Sequence, residues 1–344
     1  MATRGKNLLT MAMFGMGATW VVRRVIRSAR AMDFRGKVVV ITGGSRGLGL
    51  LLARRFAAEG AKVAICSRDE EELGRAREEL SRVAEVHAER CDVCLEGDVQ
   101  RFIRNVIGKF GGIDVLVNNA GTIMVGPMET MTEADFDEAM QTHFYGALYT
   151  ILAALPSMRT RPEGRMVNIS SIGGLVPVPH LLPYTASKFA LTGFSLGLAE
   201  ELRKDNIYVT TVCPGLMRTG SPRNALFKGK HRAEYTWFTL GDSIPGPSQS
   251  ADRAAARIVE SCRHGDVKLV TSLPAWAAAK AYALFPNVMT DVYAMVNYAL
   301  PGVGGIGPRR ARGYESESAV TRSPLTALTR AAAERNNEVP EPKP

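Results

Sequence analysis

Between Lys37 and Ser272 the chain alternates short apolar runs, rich in β-branched residues, with longer stretches of helical periodicity. This alternation predicts parallel strands, because each crossover helix covers one face of the sheet and leaves the strands buried. We therefore expect an α/β fold with a parallel sheet covered on both faces. The predicted strands are Val38–Ile41, Lys62–Cys66, Glu85–His87, Val115–Val117, Met166–Ile169, Tyr208–Val212 and Val267–Val270, and the helices between them include Leu48–Glu59, Gln100–Lys109, Ala134–Ser157 and Tyr184–Arg203.

The composition changes at three points along the 344 residues. One large α/β domain with extensions fits this length as well as two small domains do, and we adopt the single domain with helical extensions. The five cysteines are scattered among predicted strands and helices, which indicates a reducing compartment, the cytoplasm, rather than a disulfide framework. The four segments are a basic and apolar arm (1–36), the strand–helix domain (37–272), an apolar helical extension (273–307) and a polar tail (308–344).

Positive charge is concentrated in the N-terminal arm. Seven basic residues and one acid lie in residues 1–36, so the arm holds six of the nine net positive charges. The nearly neutral remainder argues against a body that binds nucleic acid. The apolar run Leu8–Val22 is shorter than the roughly 20 residues that span a bilayer, and arginines stand where a secretory signal would place its cleavage site.

From Trp20 to Arg30 the arm has the pattern of an amphipathic helix. Val22, Val25, Ile26 and Ala29 share one face, and Arg23, Arg27 and Arg30 share another. This pattern is typical of a helix lying on anionic lipid. Two interpretations stay open: residues 1–30 bind the cytoplasmic face of a membrane, or they form a helix packed on the domain or on a partner.

The segment Leu273–Leu300 carries only Lys280 and Asp291 as charges, and Pro286 divides it into two predicted helices. In the second helix an apolar stripe repeats at helical spacing. We favour a helix packed on the core or across a dimer interface over a lid or a membrane-facing element. Beyond Pro308 the polar tail is expected to fray, apart from a helix over Leu325–Asn336. The stripe consists of Val288, Val292, Met295, Val296 and Ala299.

A glycine-rich loop follows the first predicted strand and leads into a helix. Glycines at such a place permit a tight turn and a close approach of the backbone to a pyrophosphate, which then lies at the helix N-terminus. Because the loop follows a buried strand at the start of a βαβ unit, its position favours a nucleotide-binding loop over an ordinary strand–helix turn. The candidate cofactor-binding residues here are Gly43, Ser45, Arg46, Gly47, Leu48 and Gly49.

The end of the second strand, Cys66-Ser67-Arg68, indicates which dinucleotide binds. An acid here would accept the adenosine ribose hydroxyls and repel a 2′-phosphate. The chain instead offers the Ser67 hydroxyl and the Arg68 guanidinium, and Arg46 approaches from the glycine loop. Paired arginines bind phosphate through charge-assisted hydrogen bonds. NADP(H) is therefore favoured over NAD(H), although Asp69 follows directly.

Two further segments are expected to line the cofactor pocket. Asp92, with Val93 beside it, follows the third strand and suits the adenine amino group. The spacing of Cys91 and Cys94 is compatible with zinc, but no second cysteine pair lies nearby, so no metal is predicted. The fourth strand ends in Asn118-Asn119-Ala120-Gly121, whose small residues and amides suit a pocket wall.

Tyr184 and Lys188 are separated by four residues in a predicted helix and so share a face. A neighbouring ammonium favours phenolate and is expected to bring the pKa of the tyrosine toward the working range. Ser171, at the end of the fifth strand, is placed to donate a hydrogen bond to a substrate oxygen. Tyr184 is therefore the candidate acid–base of a hydride-transfer reaction on an alcohol or carbonyl carbon, and Lys188 also suits the nicotinamide ribose.

At this point the sequence resembles the short-chain dehydrogenase/reductase family over roughly Lys37–Ser272. The resemblance implies a Rossmann-type, doubly wound seven-stranded parallel sheet and a homo-oligomer. It also implies that Pro214, Gly215 and Thr219 meet the nicotinamide end of the cofactor. The elements that carry it are Thr42-Gly43-x-x-x-Gly47-x-Gly49, Asp92, Asn118-Asn119-Ala120-Gly121, Ser171, Tyr184-x-x-x-Lys188 and Cys213-Pro214-Gly215 with Thr219.

One residue departs from the family pattern. His143 stands three residues before Gly146, where the family usually has an asparagine that links the lysine to water. A histidine can offer its backbone carbonyl to that water or add a titrating group to the proton relay. We expect an active enzyme in which His143 takes part in the relay.

The segment from Thr219 to Ser248 is expected to form a lid that sets specificity. Its aromatic residues, the apolar extension and the basic arm suggest a hydrophobic carbonyl or alcohol substrate. The alternative is a non-catalytic NADP(H)-binding sensor or scaffold, which His143 favours and Ser171, Tyr184 and Lys188 oppose. An epimerase-type enzyme shares Tyr-x-x-x-Lys, but its glycine spacing differs from that of Gly43, Gly47 and Gly49.

Overall fold

The computed structural model describes residue 22 and residues 24–339. At its centre lies a sheet of seven parallel strands in the order β11-β7-β6-β4-β1-β2-β3. Strand order reverses between β1 and β4, so the sheet is doubly wound and opens a crevice at the carboxyl ends of these strands. The seven-stranded prediction is confirmed. The strands are β1 (Val38–Thr42), β2 (Lys62–Ser67), β3 (Val86–Arg90), β4 (Val115–Asn118), β6 (Gly164–Ile169), β7 (Ile207–Cys213) and β11 (Lys268–Val270).

Helices cover both faces of the sheet because alternate strand residues point to opposite sides. Val39 and Ile41 of β1 face one apolar layer, and Val38 and Val40 face the other. Where one helix over Ala134–Ser157 was expected, a π-helical turn at Gln141–Tyr145 divides it. The helices are α2 (Gly47–Ala58), α3 (Glu70–Leu80), α4 (Glu96–Phe110), α5 (Glu133–Met140), α6 (Gly146–Met158), α7 (Leu182–Glu201) and α10 (Ala251–His264).

Two small sheets and two helices form a cover over one end of the crevice. The expected lid segment contains a long helix rather than an open loop. Phe227, Tyr235 and Phe238 from this cover pack with Val125 and Leu181 in a third apolar cluster. The elements are β5 (Met124–Val125), β8 (Met217–Arg218), α8 (Ser221–Asn224), β9 (Leu226–Phe227), α9 (His231–Ser243), β10 (Gln249–Ser250) and β12 (Ala311–Arg312).

The apolar extension forms two helices, α11 (Leu273–Leu284) and α12 (Pro286–Ala299), which meet at Pro286 as predicted. No residue of α12 is buried. Packing of this helix on the core, one half of the expectation, is therefore wrong for the described chain, and packing across a dimer interface stays a prediction. Its apolar stripe remains exposed, because periodicity identifies a face suited to burial without identifying what buries it.

Over its described residues, 308–339, the polar tail does not fray as expected. It adds β12 to the cover and then forms α13 (Ala327–Arg335), close to the predicted helix. Arg310 bonds to Asp135 at 2.7 Å, and Lys228 pairs with the same buried carboxylate. Burial alone would raise the pKa of Asp135, but the bonds from Lys228, Thr132 and Arg310 outweigh it and lower that pKa. The tail is thus attached to the domain by polar contacts, which cannot be detected from composition.

The described end of the N-terminal arm is helical over 24–29 (α1) and packs on the domain through its polar groups. Arg27 makes a bidentate pair with Asp266 at 2.8 and 2.9 Å, and its carbonyl contacts His264. Val25 and Ile26 on the other face are exposed. The run Leu8–Val22, apart from Val22, and Arg23 lie outside the described residues. Among the described residues, no helix has both the length and the apolarity needed to cross a bilayer.

Candidate active site

The candidate residues converge where the carboxyl ends of β1, β4, β6 and β7 meet. This convergence follows from the parallel sheet, in which all strands end at the same edge. The backbone N–H of Ile172 donates to the carbonyl of Pro214 at 2.7 Å and joins the loops after β6 and β7. The segments brought together are the glycine loop after β1, the loop 119–121 after β4, Ser171 after β6, Pro214 and Gly215 after β7, and the face of α7 that carries Tyr184 and Lys188.

The glycine loop is fastened to the loop after β4. The Thr42 hydroxyl accepts from the backbone N–H groups of Asn119 and Ala120 at 3.0 and 3.1 Å. The Asn119 side-chain amide donates to the carbonyls of Thr42 and Gly43 at 3.0 and 3.1 Å. Asn119 thus acts in the wall mainly by holding the glycine loop in place.

The same loop fits the phosphates of a dinucleotide. Gly43 and Gly47 have φ angles of +63° and +55°, which favour glycine over residues with a Cβ. A Cβ at Gly49 would lie 2.0 Å from the carbonyl oxygen of Gly43. Helix α2 begins with Gly47, Leu48 and Gly49, has no acid in its first turn, and receives no side-chain cap from Arg46. Its N-terminal N–H groups are therefore suited to an anion.

The residues expected to select the cofactor lie at the ends of β1, β2 and β3. Arg46 donates to Glu72 at 2.7 Å and to Asn224 at 3.0 Å, and the Ser45 hydroxyl donates to Glu72 at 3.3 Å. Arg68 is largely exposed and its guanidinium lies 4.0 Å from Asp92. The two arginines are thus held by different carboxylates.

The remaining predicted wall residues are packed close to the sheet. The Asp92 carboxylate accepts from the backbone N–H of Cys94 at 3.0 Å, and a Cβ at Gly146 would lie 2.9 Å from Val93. Ser67 accepts from the backbone N–H of Asp69 at 3.4 Å. Thr219 is buried and its hydroxyl donates to Ser221 at 2.7 Å.

Tyr184 and Lys188 share a face of α7, with the lysine nitrogen 5.7 Å from the centre of the tyrosine ring. The ammonium of Lys188 donates to the carbonyl of Ile169 at 2.9 Å. Ser171 accepts from the backbone N–H of Gly173 at 3.0 Å. A Cβ at Gly173 would lie 3.2 Å from the Tyr184 ring, so this glycine lets the serine loop approach the tyrosine.

The electrostatics of this pair differ from the expectation. Burial raises the pKa of Tyr184 to about 12, opposed by the hydrogen bond with Ser171. Burial also lowers the pKa of Lys188 to about 7. The expected lowering of the tyrosine pKa is therefore absent, because desolvation disfavours the charged forms of both groups. In this environment Tyr184 is a neutral phenol.

His143 lies in the π-helical turn before α6, with its ring at right angles to Tyr184 and the ring centres 5.3 Å apart. Its Nε2 accepts from the backbone N–H of Thr122 at 3.1 Å. Its Nδ1 therefore carries the proton and donates to the Ser187 hydroxyl at 2.7 Å. A Cβ at Gly121 would lie 3.2 Å from Nε2.

These contacts give His143 a neutral ring with a fixed tautomer. Burial, and then the charge of Lys188, lower the pKa of His143 well below its usual range. The geometry favours a positioning residue that holds the loop after β4 and the start of α7. The part of His143 in a proton relay stays a prediction. Its backbone carbonyl, rather than its ring, is the group that can accept a hydrogen bond from a relay water.

Sequence reasoning missed a buried pair that joins the cover to this site. His180, four residues before Tyr184, contacts Glu234 of α9 through Nδ1 at 2.9 Å. The Trp237 indole donates to the second oxygen of Glu234 at 2.7 Å. His180 has a φ of +62°, which histidine adopts more readily than most residues. Nothing local in the sequence signals this contact, because the partners are 54 residues apart.

The family model described as short chain dehydrogenase matches residues 37–226. A relative from Anopheles gambiae, "Dehydrogenase/reductase SDR family protein 7-like", is 38% identical over 233 residues, 65% of this chain and 73% of its own length. L-Sorbose reductase from Gluconobacter frateurii, solved with NADPH and L-sorbose, is 28% identical, with a TM-score of 0.63 over 71% of this chain and 99% of that chain. A Burkholderia phymatum structure solved with NAD, at 24% identity, shares the fold with a TM-score of 0.70 over 75% of this chain and 96% of its own.

The neutral His143 predicts how stability depends on pH. A histidine whose pKa is lowered in the folded protein binds its proton only after unfolding, so the free energy of unfolding falls as pH drops below about 6.5. The contribution approaches about 1.4 kcal/mol per pH unit. We expect His143→Asn to remove this part of the acid sensitivity.

Urea unfolding of wild type and His143→Asn between pH 8 and pH 5 checks the prediction. The difference in unfolding free energy between the two proteins should be constant above about pH 7. Below about pH 6 the wild type should lose more stability than the variant. His264→Asn, at a partly buried histidine away from the site, is the control. A difference between wild type and His143→Asn that does not change with pH would contradict a neutral, buried His143.

Proposed function

Because the chain belongs to the short-chain dehydrogenase/reductase family, and so to oxidoreductases that act on CH–OH groups with a nicotinamide dinucleotide, we propose that it interconverts a hydrophobic ketone or aldehyde with its alcohol using NADP(H). The observation that carries this proposal is the placement of Ser171, Tyr184 and Lys188 beside the glycine loop at the carboxyl edge of the sheet. These three side chains supply acid–base chemistry next to a cofactor cradle.

The proposed reaction uses Tyr184 as proton donor to the substrate oxygen. A nicotinamide ring held in this cradle would supply the hydride for the carbonyl carbon. A neutral phenol, which the raised pKa of Tyr184 favours, can give its proton to the forming alkoxide. Ser171 orients the same oxygen by donating a hydrogen bond. Alcohol oxidation is the reverse, with the tyrosine oxygen receiving the proton.

Lys188 is proposed to act on both the cofactor and the tyrosine. Its pKa of about 7 lets it exchange a proton near neutral pH, so it can restore the proton that Tyr184 gives up. The same nitrogen would hold the nicotinamide ribose, and Pro214, Gly215 and Thr219 would meet the nicotinamide end of the cofactor, with Thr219 near the carboxamide. His143 holds the loop after β4 through the backbone N–H of Thr122.

The preference for NADP(H) rests on the residues of this chain, because one solved relative is bound to NADPH and another to NAD. Ser67 and Arg68 occupy the end of β2, and the acid that follows, Asp69, accepts from the backbone N–H of Glu72 at the start of α3. Glu72 and Asp92 now contact the two arginines. A 2′-phosphate would offer Arg46 and Arg68 a more highly charged partner than these carboxylates.

A hydrophobic substrate is supported by the apolar cluster under the cover. Phe227, Tyr235 and Phe238 pack beside Tyr184, and Trp237 lies at the edge of the same cluster. The substrate oxygen would meet Tyr184 while an apolar body lies against these rings. Exposed apolar residues on α12 also fit a second copy of the chain, in keeping with the proposed homo-oligomer.

We also propose that residues 1–30 bind the cytoplasmic face of a membrane. In the described part of the arm, Arg27 is paired with the domain while Val22, Val25 and Ile26 are exposed. An exposed apolar face beside basic residues suits the boundary between lipid headgroups and acyl chains.

Tyr184→Phe tests the catalytic assignment. The substitution removes the proton donor and keeps the ring, so we expect NADPH oxidation with hydrophobic ketones to fall by at least about a hundredfold. The Kd for NADPH, measured by fluorescence, should change little. Tyr282→Phe, on α11, is the matched control. Wild-type binding of NADPH without turnover across a broad carbonyl panel would favour the sensor instead.

Arg68→Ala tests the choice of cofactor. Loss of one charge-assisted hydrogen bond to a 2′-phosphate should weaken NADPH binding roughly tenfold or more and leave NADH binding unchanged. Arg77→Ala, an exposed arginine on α3, removes the same charge without the proposed contact. Equal effects on both dinucleotides would argue against a 2′-phosphate site at Arg68.

Detergent-free fractionation tests the arm. We expect the full chain to sediment with membranes and a chain without residues 1–30 to stay in the supernatant, because the exposed apolar face is removed. Liposome sedimentation with and without anionic lipid gives the charge dependence. An unchanged soluble fraction after the deletion would contradict membrane binding.

A further inference from the structure

The C-terminal end of the described chain enters the cofactor cleft, and no step of the proposed reaction uses it. Residues 336–339, here called the C-terminal strap, follow α13 and cross from the glycine loop to the segment after Thr219. Asn336 and Glu338 are both buried. A polar chain end that is buried at a predicted phosphate site requires an explanation.

The turn that starts the strap is specifically built. Asn337 has a φ of +58°, a left-handed conformation that asparagine tolerates. The backbone N–H of Glu338 donates to the carbonyl of Ala333 at 2.9 Å. Together these features form a Schellman-type helix end, which turns the chain sharply at the end of α13. The turn directs Glu338 into the cleft.

The strap contacts the glycine loop through its backbone and through Asn337. The backbone N–H of Gly47, at the start of α2, donates to the carbonyl of Asn336 at 2.9 Å. The Asn337 amide donates to the carbonyls of Ser45 and Glu72 at 2.8 and 2.9 Å, and Arg75 donates to its oxygen at 2.6 Å.

The Glu338 carboxylate lies between the two walls of the cleft. Its Oε2 accepts from the backbone N–H of Gly220 at 2.6 Å. Its Oε1 would lie 3.1 Å from a Cβ at Gly47, and its own Cβ would lie 2.6 Å from a Cβ at Gly220. Both glycines therefore allow the acid to approach. The Glu338 side chain thus lies against Gly47 at the N-terminus of α2, where the pyrophosphate of a dinucleotide is expected.

We propose that the C-terminal strap is an internal competitor of the cofactor, in which Asn336 and Glu338 occupy the phosphate site and must withdraw before NADP(H) binds. The inference rests on the proposed function, since the competitor is the dinucleotide. In the docked state the N–H of Gly47 donates to the Asn336 carbonyl and the N–H of Gly220 donates to the Glu338 carboxylate, so a phosphate cannot accept from either group until the strap withdraws. In the same structure Arg46 donates to Glu72 and Asn224.

The charge on Glu338 adds to this competition. Burial raises the pKa of Glu338 to about 7, opposed by the N–H of Gly220 and by Arg46, while Glu72 raises it further. Asp242 of α9 is a second buried acid that interacts with Glu338. Glu338 has two acidic neighbours, Glu72 and Asp242, and one nearby guanidinium, that of Arg46. Its carboxylate is therefore held less firmly than a carboxylate that is fully paired with cations. The strap is therefore suited to reversible release.

The test compares NADPH binding to four forms of the protein: the wild type, a chain ending at Arg335, Glu338→Ala, and the control Glu334→Ala. Glu334 is an exposed acid on the same helix. The apparent Kd equals the intrinsic Kd divided by the fraction of open molecules. If the strap is docked in about nine-tenths of molecules, its removal should tighten NADPH binding about tenfold, with faster association. Glu334→Ala should match wild type.

A second readout follows the strap itself. Trypsin cleavage after Arg335, detected as release of the peptide 336–344, should accelerate when NADPH is added to wild type, because the cofactor displaces the strap. Protection of this bond by NADPH would overturn the proposal and indicate a clamp over the cofactor. Glu338→Ala keeps the test valid if the shortened chain does not fold.

The outcomes separate the two proposals. If wild type, the shortened chain and Glu338→Ala bind NADPH equally, the strap inference fails and the proposed function stands. Weaker binding after removal of the strap also overturns the inference. If no form binds any nicotinamide dinucleotide, the proposed function fails, and the strap inference fails with it because there is no cofactor to exclude.

Discussion

The candidate site depends on the complete burial of β1 between β2 and β4. Its side chains enter both apolar layers, so the strand cannot shift without exposing one of them. This fixes Thr42 at the carboxyl edge, where its hydroxyl accepts from two N–H groups of the loop after β4. One buried hydroxyl therefore sets the distance between the glycine loop and the opposite wall.

The same burial governs the chemistry of the site. Tyr184, Lys188 and His143 lie in surroundings that disfavour their charged forms, which raises the first pKa and lowers the other two. A neutral phenol beside a lysine of near-neutral pKa can pass a proton without creating an isolated buried charge. The fixed tautomer of His143 and the bond from Lys188 to Ile169 keep these groups in place.

Much of the fold was predictable because its signals are local. The runs that form the seven strands are continuous and apolar, and the break at Pro286 follows from the missing N–H of proline. The glycine loop and the Tyr184–Lys188 spacing were equally local. The division of Ala134–Ser157 by a π-helical turn was not predictable, since that turn meets the loop after β4 through His143. The attachment of the tail also escaped prediction, because Arg310 finds its partner 175 residues away.

The sequence by itself determined the parallel α/β architecture, the glycine loop and the order of the serine, tyrosine and lysine along the chain. Each follows from periodicity or from spacing within one element, which the backbone alone enforces. Only the tertiary structure decided that Tyr184 is a neutral phenol, that His143 is held by Thr122 and Ser187, and that Glu338 reaches Gly220. These outcomes depend on desolvation and on contacts between distant residues, and both exist only once the chain is packed.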